Sequence, residues 1–198
     1  MLNKIVLASN NKKKMKEMQE LLSPLGIEVV SQGSLNIPAA EEPFFTFVEN
    51  SLAKARHASK ESGLPAIADD SGICVDALNG KPGVFSARFS GEDADDEKNN
   101  QKLLRLMKNE NNKKAHYICV LTAVKNAEDQ EPLIAVGRWD GEVSQERRGE
   151  GGFGYDPYFF IPALGKHAAE LSSEEKNSIS HRGKAMQLMK ELIISCWK

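Results

Sequence analysis

Three cysteines, Cys74, Cys119 and Cys196, are spread along the chain without the close pairing that a structural metal site or a disulfide framework uses. They are expected as buried or idle thiols of a reducing compartment. No apolar run approaches the roughly 20 residues that cross a bilayer. Lys4 interrupts the first such run, so no basic-then-apolar leader is read there and the cytoplasm is the expected location. Net charge is also scarce: 26 Lys and Arg against 28 Asp and Glu leave −2, a balance that calls for neither nucleic acid nor an anionic membrane. Repeats, low-complexity segments, linkers and a visible domain boundary are absent. One domain over residues 1–198, with at most a second lobe, is therefore expected. A G-x-x-x-x-G-K-[ST] pattern is missing as well, which excludes a P-loop enzyme.

What is present centres on Pro65-Ala66-Ile67-Ala68-Asp69-Asp70-Ser71-Gly72. Ala66 to Ala68 read as a short buried strand ending at a polar break. Strand side chains alternate, so of the adjacent carboxylates only Asp70 projects with Ala66 and Ala68. A carboxylate at the carboxyl end of a buried strand suits a metal ligand or general base. The plainer alternative is that Asp69 and Asp70 cap a turn.

Ahead of this stretch, Ile5 to Ala8 read as a strand, Ser9-Asn10-Asn11 as a turn, and the following residues as a helix with Met15, Met18, Leu21 and Leu22 at helical spacing. Lys12, Lys13, Lys14 and Lys16 crowd the start of that helix. Cations there oppose its dipole, and a bound anion would relieve the conflict; a solvated basic face is the alternative. Pro24-Leu25-Gly26 ends the helix and Ile27 to Val30 form a second strand. An acidic loop, Glu41-Glu42-Pro43, precedes a helix opened by Thr46 and Glu49 and closed by Gly63. Lys54 and Arg56 lie along it, and either glutamate is a possible metal ligand if the loop folds over Asp70.

Downstream, Asp95 or Asp96 caps a helix facing inward through Leu103, Leu104 and Met107, and strands are expected at His116 to Val124 and Leu133 to Trp139. The alternation of strands and helices implies an α/β fold with a mixed sheet. In Gly149-Glu150-Gly151-Gly152-Phe153-Gly154-Tyr155-Asp156-Pro157 the G-x-G-x-x-G match is rejected, because Pro157 and the aromatic run after it announce a strand where a dinucleotide site needs a helix. The stretch reads as a loop presenting Phe153 and Tyr155 beside Asp156, rings suited to stacking on a planar base; core aromatics beside a bulge are the alternative. Ser172 and Glu175 form a second capping box, with Lys176 after it. Ser180-His181-Arg182-Gly183 opens a last helix, where Arg182 could read a carbonyl edge or pair with phosphate. His57, His116 and His167 form no spaced cluster.

Taken together these stretches describe a nucleotide site in which lysines meet phosphate, carboxylates hold a cation and aromatics take a base. Five ordered blocks resemble the inosine/xanthosine triphosphate pyrophosphatase family: LASNNKKKMKE, FVENSLAKARHASKESGLPAIADDSG, PGVFSARFSGEDADD, GGFGYDPYFF and AELSSEEKNSISHRGKA. The resemblance implies an elongated two-lobed α/β fold, a long mixed sheet flanked by helices, a nucleotide cleft between the lobes, a homodimer, and Mg²⁺ as cofactor. By resemblance the substrate-binding turn is Ser9, Asn10, Asn11, Lys12, Lys13 and Lys14, with Lys54 near the phosphates. Asp70 becomes proton acceptor and metal ligand, Glu42 a second ligand and Ser71 a substrate contact. Phe153, Gly154, Tyr155 and Asp156 form the base-binding loop, and Lys176, His181 and Arg182 complete the contacts. Asn10 and Lys13 stand where the family's first turn often carries glycines, which leaves its backbone contacts to phosphate open.

The implied reaction is hydrolysis of ITP, dITP or XTP between the α- and β-phosphates, clearing non-standard purines from the nucleotide pool. Asp70 would orient or deprotonate the water. A 6-keto group where adenine carries an amine gives a donor such as Arg182 something to discriminate. The rival expectations are a pyrophosphatase for a modified pyrimidine nucleotide and a non-enzymatic nucleotide- or RNA-binding module.

Overall fold

The computed structural model describes residues 2–92 and 95–197. In chain order the elements are β1 (Lys4–Leu7), α1 (Lys12–Leu22), β2 (Glu28–Ser31), α2 (Phe47–Ser62), β3 (Ala66–Val75), α3 (Asp96–Met107), β4 (Lys114–Val124), β5 (Leu133–Val143), β6 (Phe159–Ile161), β7 (Lys166–His167), α4 (Ser173–Ile179) and α5 (His181–Cys196). The seven strands form one mixed sheet in the order β2-β1-β3-β4-β5-β6-β7. β1 pairs in parallel with β2 and β3, Val6 opposite Ala66 and Leu7 opposite Ile67, whereas β6 is antiparallel to β5 and β7. An α/β fold with a mixed sheet is thus borne out.

The chain forms two compact units of interrupted segments. The first runs to Asp70 and adds Cys119–Val136 and the stretch from Ala185 on; the second is Ser71–Ile118 with Gly137–Lys184. No linker marks this division because β3, β4, β5 and α5 each pass through it.

In the first unit strand alternation decides which helix each residue meets. Ile5, Leu7 and Ile67 pack with Met18 and Leu22 of α1 and with Ala185, Met189 and Ile193 of α5. Val6, Ala66 and Ala68 point the other way, against Ala55 and Ala58 of α2. Small residues on that face let α2 lie close, and burying Ile or Leu on the opposite face stabilises by roughly 1.5–3 kcal/mol per side chain. In the second unit Leu103 and Met107 of α3 share a core with Ile73, Val75, Tyr117, Trp139 and Phe159.

Local signals set the helix ends. Thr46 Oγ1 accepts the Glu49 N–H at 3.2 Å and donates to Glu49 Oε2 at 2.6 Å, so the glutamate closes on the hydroxyl. Ser172 and Glu175 make the reciprocal box at α4. Asp95, of the two aspartates considered, caps α3.

Two strands differ from expectation. β3 does not stop at Ala68 but continues through both aspartates to Val75. Each carboxylate meets a lysine from a flanking helix, which keeps it compatible with a buried strand. Gly72 permits the continuation, because a Cβ there would lie 2.3 Å from the Gly83 carbonyl oxygen. β5 extends past Trp139 to Val143 with unbroken alternation, Trp139 and Val143 inward. Gly141 holds the intervening inward position, where a Cβ would come within 2.5 Å of the Phe159 ring. A glycine in an apolar register hides the alternation from the sequence.

Candidate active site

In the first unit the two aspartates of β3 behave as alternation predicts. Asp69 faces α1, and both its oxygens accept from Lys14 Nζ at 2.8 Å. Asp70 faces α2, where Lys54 Nζ lies 3.7 Å from its Oδ1. That ammonium is also 3.0 Å from Glu42 Oε2, so it sits between the strand carboxylate and the acidic loop. Of the two loop glutamates it is Glu42, half-buried, that meets Lys54, while Glu41 is exposed.

Asp70 is 7% exposed. Burial pushes its carboxyl up from the ordinary 3.8 to about 6; Lys54 and a hydrogen bond from Asn50 pull it down, and the charges of Glu42 and Asp69 push it up. Three carboxylates, Glu42, Asp69 and Asp70, thus share two ammonium groups. Burial, more than the neighbouring charges, is what raises Asp70.

Lys14, Lys54, Glu42 and Asp69 line a cavity of about 260 Å³ with Ser9 and Asn10. That volume falls just short of the roughly 300–1,000 Å³ of pockets that enclose a whole drug-sized ligand. It suits a polyphosphate better than a complete nucleotide.

The turn before α1 shows how the lysine run is used. Asn11 caps the helix, its Oδ1 accepting from the N–H groups of Lys13 and Lys14 at 2.9 and 3.2 Å, and Ser9 Oγ accepts the Asn11 N–H at 3.2 Å. Two of the donors that an anion could have used are therefore committed to the protein. Lys12 and Lys13 are exposed, and of the run only Lys14 reaches the cavity. Among the described residues only Asn36 and Asn79 are non-glycines at positive φ, so Asn10 and Lys13 have ordinary backbones. Room is made at Gly33 instead, where a Cβ would lie 2.4 Å from Asn10 Oδ1.

In the second unit the Phe153–Asp156 loop is held from beneath. Asp156, 2% exposed, accepts the Phe153 N–H at 2.9 Å and a short hydrogen bond from Lys176 Nζ. Burial, with the charge of the same carboxylate, raises the Tyr117 phenol well above its ordinary value. Gly152, at φ +78°, closes over this carboxylate so tightly that a Cβ would meet Asp156 Oδ2 at 2.1 Å. From α3, Asp96 Oδ2 accepts the Gly154 N–H at 2.8 Å and Asn100 Nδ2 donates to the Gly154 carbonyl at 3.0 Å.

Phe153 is presented as expected, 53% exposed, with Lys176 Nζ 4.8 Å and Arg182 Cζ 6.0 Å from its ring centroid. Tyr155 is not. Its ring is 5% exposed within the core and its hydroxyl donates to the Ser86 carbonyl at 2.7 Å, a partner far away in sequence. The expectation of two presented rings is corrected to one. His181 is buried too, lying parallel to Tyr117 at 4.6 Å and 9°. Ser71, half-buried, follows Asp70 in β3, and Arg182 is half-buried at the start of α5.

Residues that the sequence did not announce include Asp69 as the partner of Lys14, Asn50 beside Asp70, Asp96 and Asn100 under Gly154, and Tyr117 under Asp156 and His181. Asn50 shares its helix face with Lys54, four residues on, and not with the apolar Ala55 and Ala58, so no sequence pattern announced it.

The Ham1 family model matches residues 5–192 of this chain. The chain belongs to the Ham1 family. A dITP/XTP pyrophosphatase from Nitrosomonas europaea is 57% identical over 97% of this chain and 95% of its own length. The protein of the same name from Escherichia coli strain K12 is 52% identical over 95% and 96%. Among solved structures, a HAM1 protein from Coxiella burnetii matches with a TM-score of 0.95 at 46% identity, covering 99% of this chain and 100% of that one. The family expected from the five sequence blocks is therefore the one found.

Proposed function

We propose that this protein hydrolyses non-standard purine nucleoside triphosphates (ITP, dITP, XTP and dXTP) between the α- and β-phosphates, releasing a nucleoside monophosphate and pyrophosphate. The carrying observation is the group around Lys54: one ammonium between Glu42 and a buried Asp70 whose pKa is about 6. Its relatives' names supply the substrate class.

Mg²⁺ is the cation we assign. Asp70 and Glu42 are hard oxygen donors that already share a positive charge, and Mg²⁺ characteristically takes one or two carboxylates, several waters and substrate phosphates. Among the described residues no group of three His, Cys, Asp or Glu is placed to hold a metal, which fits that mode and not an all-protein cage. When bound, the ion supplies phosphate neutralisation and Lewis-acid polarisation.

The chain's own residues do the rest. At pH 7 a carboxyl titrating near 6 is mostly ionised and still basic enough to take a proton from water, help worth roughly 10²–10⁴-fold. Lys54 and Lys14 bring positive charge to the cavity wall, and Ser9 and Asn10 bring hydrogen-bonding groups. In the second unit, Phe153 offers an exposed ring for stacking and Arg182 a donor for a 6-keto oxygen. A homodimer in the cytoplasm belongs to the same proposal.

The test is purified protein with Mg²⁺ against ITP, dITP, XTP, ATP, GTP and UTP, scoring pyrophosphate separately from orthophosphate. Pyrophosphate from the inosine and xanthosine nucleotides, lost on chelation, is expected. Orthophosphate would move the cleavage to the γ-phosphate, preference for UTP would favour a pyrimidine enzyme, and salt-sensitive oligonucleotide binding without turnover would favour a binding module.

A further inference from the structure

Asn50, in the first turn of α2, is a polar side chain only 1% exposed. Its carboxamide closes a two-point ring with the backbone of Phe44: Oδ1 accepts the Phe44 N–H at 3.0 Å and Nδ2 donates to the Phe44 carbonyl at 3.1 Å. The carboxamide also lies close enough to Asp70 to be among the groups that lower its pKa. Phe44 lies two residues beyond Glu42, and Lys54, which touches Glu42 and approaches Asp70, stands four residues beyond Asn50 on the same helix face. One buried carboxamide therefore ties the acidic loop to the helix that bears the shared ammonium, and that ammonium lies between Glu42 and Asp70.

We propose that Asn50 is a positioning residue for the cation site: it fixes the Glu42 loop against Asp70 so that both carboxylates can serve one divalent cation. This rests on the metal-dependent pyrophosphatase reading above. Packing alone does not call for an asparagine here, since an apolar side chain of similar size would fill the same space. What an apolar residue cannot do is hold the Phe44 backbone at both its N–H and its carbonyl. Groups that orient metal ligands in this way cost roughly 10–100-fold in metal affinity or activity when removed.

The test compares Asn50→Ala and the near-isosteric Asn50→Leu with Thr46→Ala, which removes the cap of the same helix without touching Asp70 or Glu42. Two quantities are read: the Mg²⁺ concentration giving half-maximal pyrophosphate release from ITP, and Mn²⁺ binding to nucleotide-free protein by electron paramagnetic resonance. Both Asn50 variants are expected to need roughly tenfold more metal and to bind Mn²⁺ correspondingly more weakly. Saturating Mg²⁺ should restore most of their turnover, and Thr46→Ala should stay near wild type in both readouts. Metal requirements no higher in the Asn50 variants than in Thr46→Ala, or lost turnover that metal does not restore, would overturn the role of Asn50 alone. Wild-type protein that releases no pyrophosphate from ITP, or does so without a divalent cation, would overturn the underlying reading and this proposal with it.

Discussion

The two units handle buried charge in opposite ways. In the second, a single carboxylate, Asp156, accepts from two donors, Lys176 and the Phe153 N–H, beside the buried Tyr117 phenol. Its charge is fully used in holding a loop whose one exposed ring is Phe153. In the first, Glu42, Asp69 and Asp70 crowd around Lys14 and Lys54, and burial holds Asp70 near 6. A carboxylate ringed by donors makes a scaffold, whereas one whose charged form is disfavoured by burial stores free energy that a cation and a substrate can release. We read the first cluster as the chemical one and the second as a platform.

The sharpest way to break this contrast is to remove Asp156. Asp156→Ala leaves the Lys176 ammonium buried without its partner and should cost about 3 kcal/mol or more in urea unfolding. A cost below about 1 kcal/mol would mean that the platform is not held by this carboxylate. Next comes Lys54→Met. Lys54 is the main influence lowering the Asp70 pKa, so its loss should raise that pKa further and move the acid limb of kcat/KM to higher pH. An acid limb that stays in place would separate Asp70 from the titration that governs the rate. The smallest stability effect is expected of Phe153→Ala. With its ring 53% exposed, unfolding should change by only about 0.5 kcal/mol, while KM for ITP rises. A large loss of stability there would make Phe153 part of the core.

Much of the first unit was legible because its signals are periodic. Alternation alone sent Asp69 and Asp70 to opposite helices, and the Thr46 and Ser172 caps marked two helix starts. The extent of β3 was not legible. Adjacent aspartates read as a break unless their lysines are seen to arrive from α1 and α2, and those contacts span 55 residues for Lys14 and Asp69. β5 was cut short for a related reason, since Gly141 makes room for Phe159 and carries no apolar signature. In the glycine loop, sequence could place Phe153 and Tyr155 side by side but not tell which ring turns inward. That choice depends on the Ser86 carbonyl, 69 residues away. Asn50 and Asn100 were passed over because a lone asparagine in a helix has no pattern; both prove to be buried anchors for loops.

The measurement that bears most directly on the whole account is Asp70→Asn, followed in both turnover and stability across pH. A carboxyl raised from 3.8 to about 6 binds its proton more tightly folded than unfolded. Its favourable contribution is complete below pH 4 and is lost as pH rises through 6, about 3 kcal/mol in all. Asparagine resembles the protonated form, so the variant should be more stable than wild type by about that amount at pH 7, with the difference gone below pH 4. Pyrophosphate release from ITP should meanwhile fall by at least about 100-fold. A variant that is more stable and nearly inactive is the predicted result. Near-normal turnover, or lower stability at pH 7, would contradict the claim that Asp70 is a strained base.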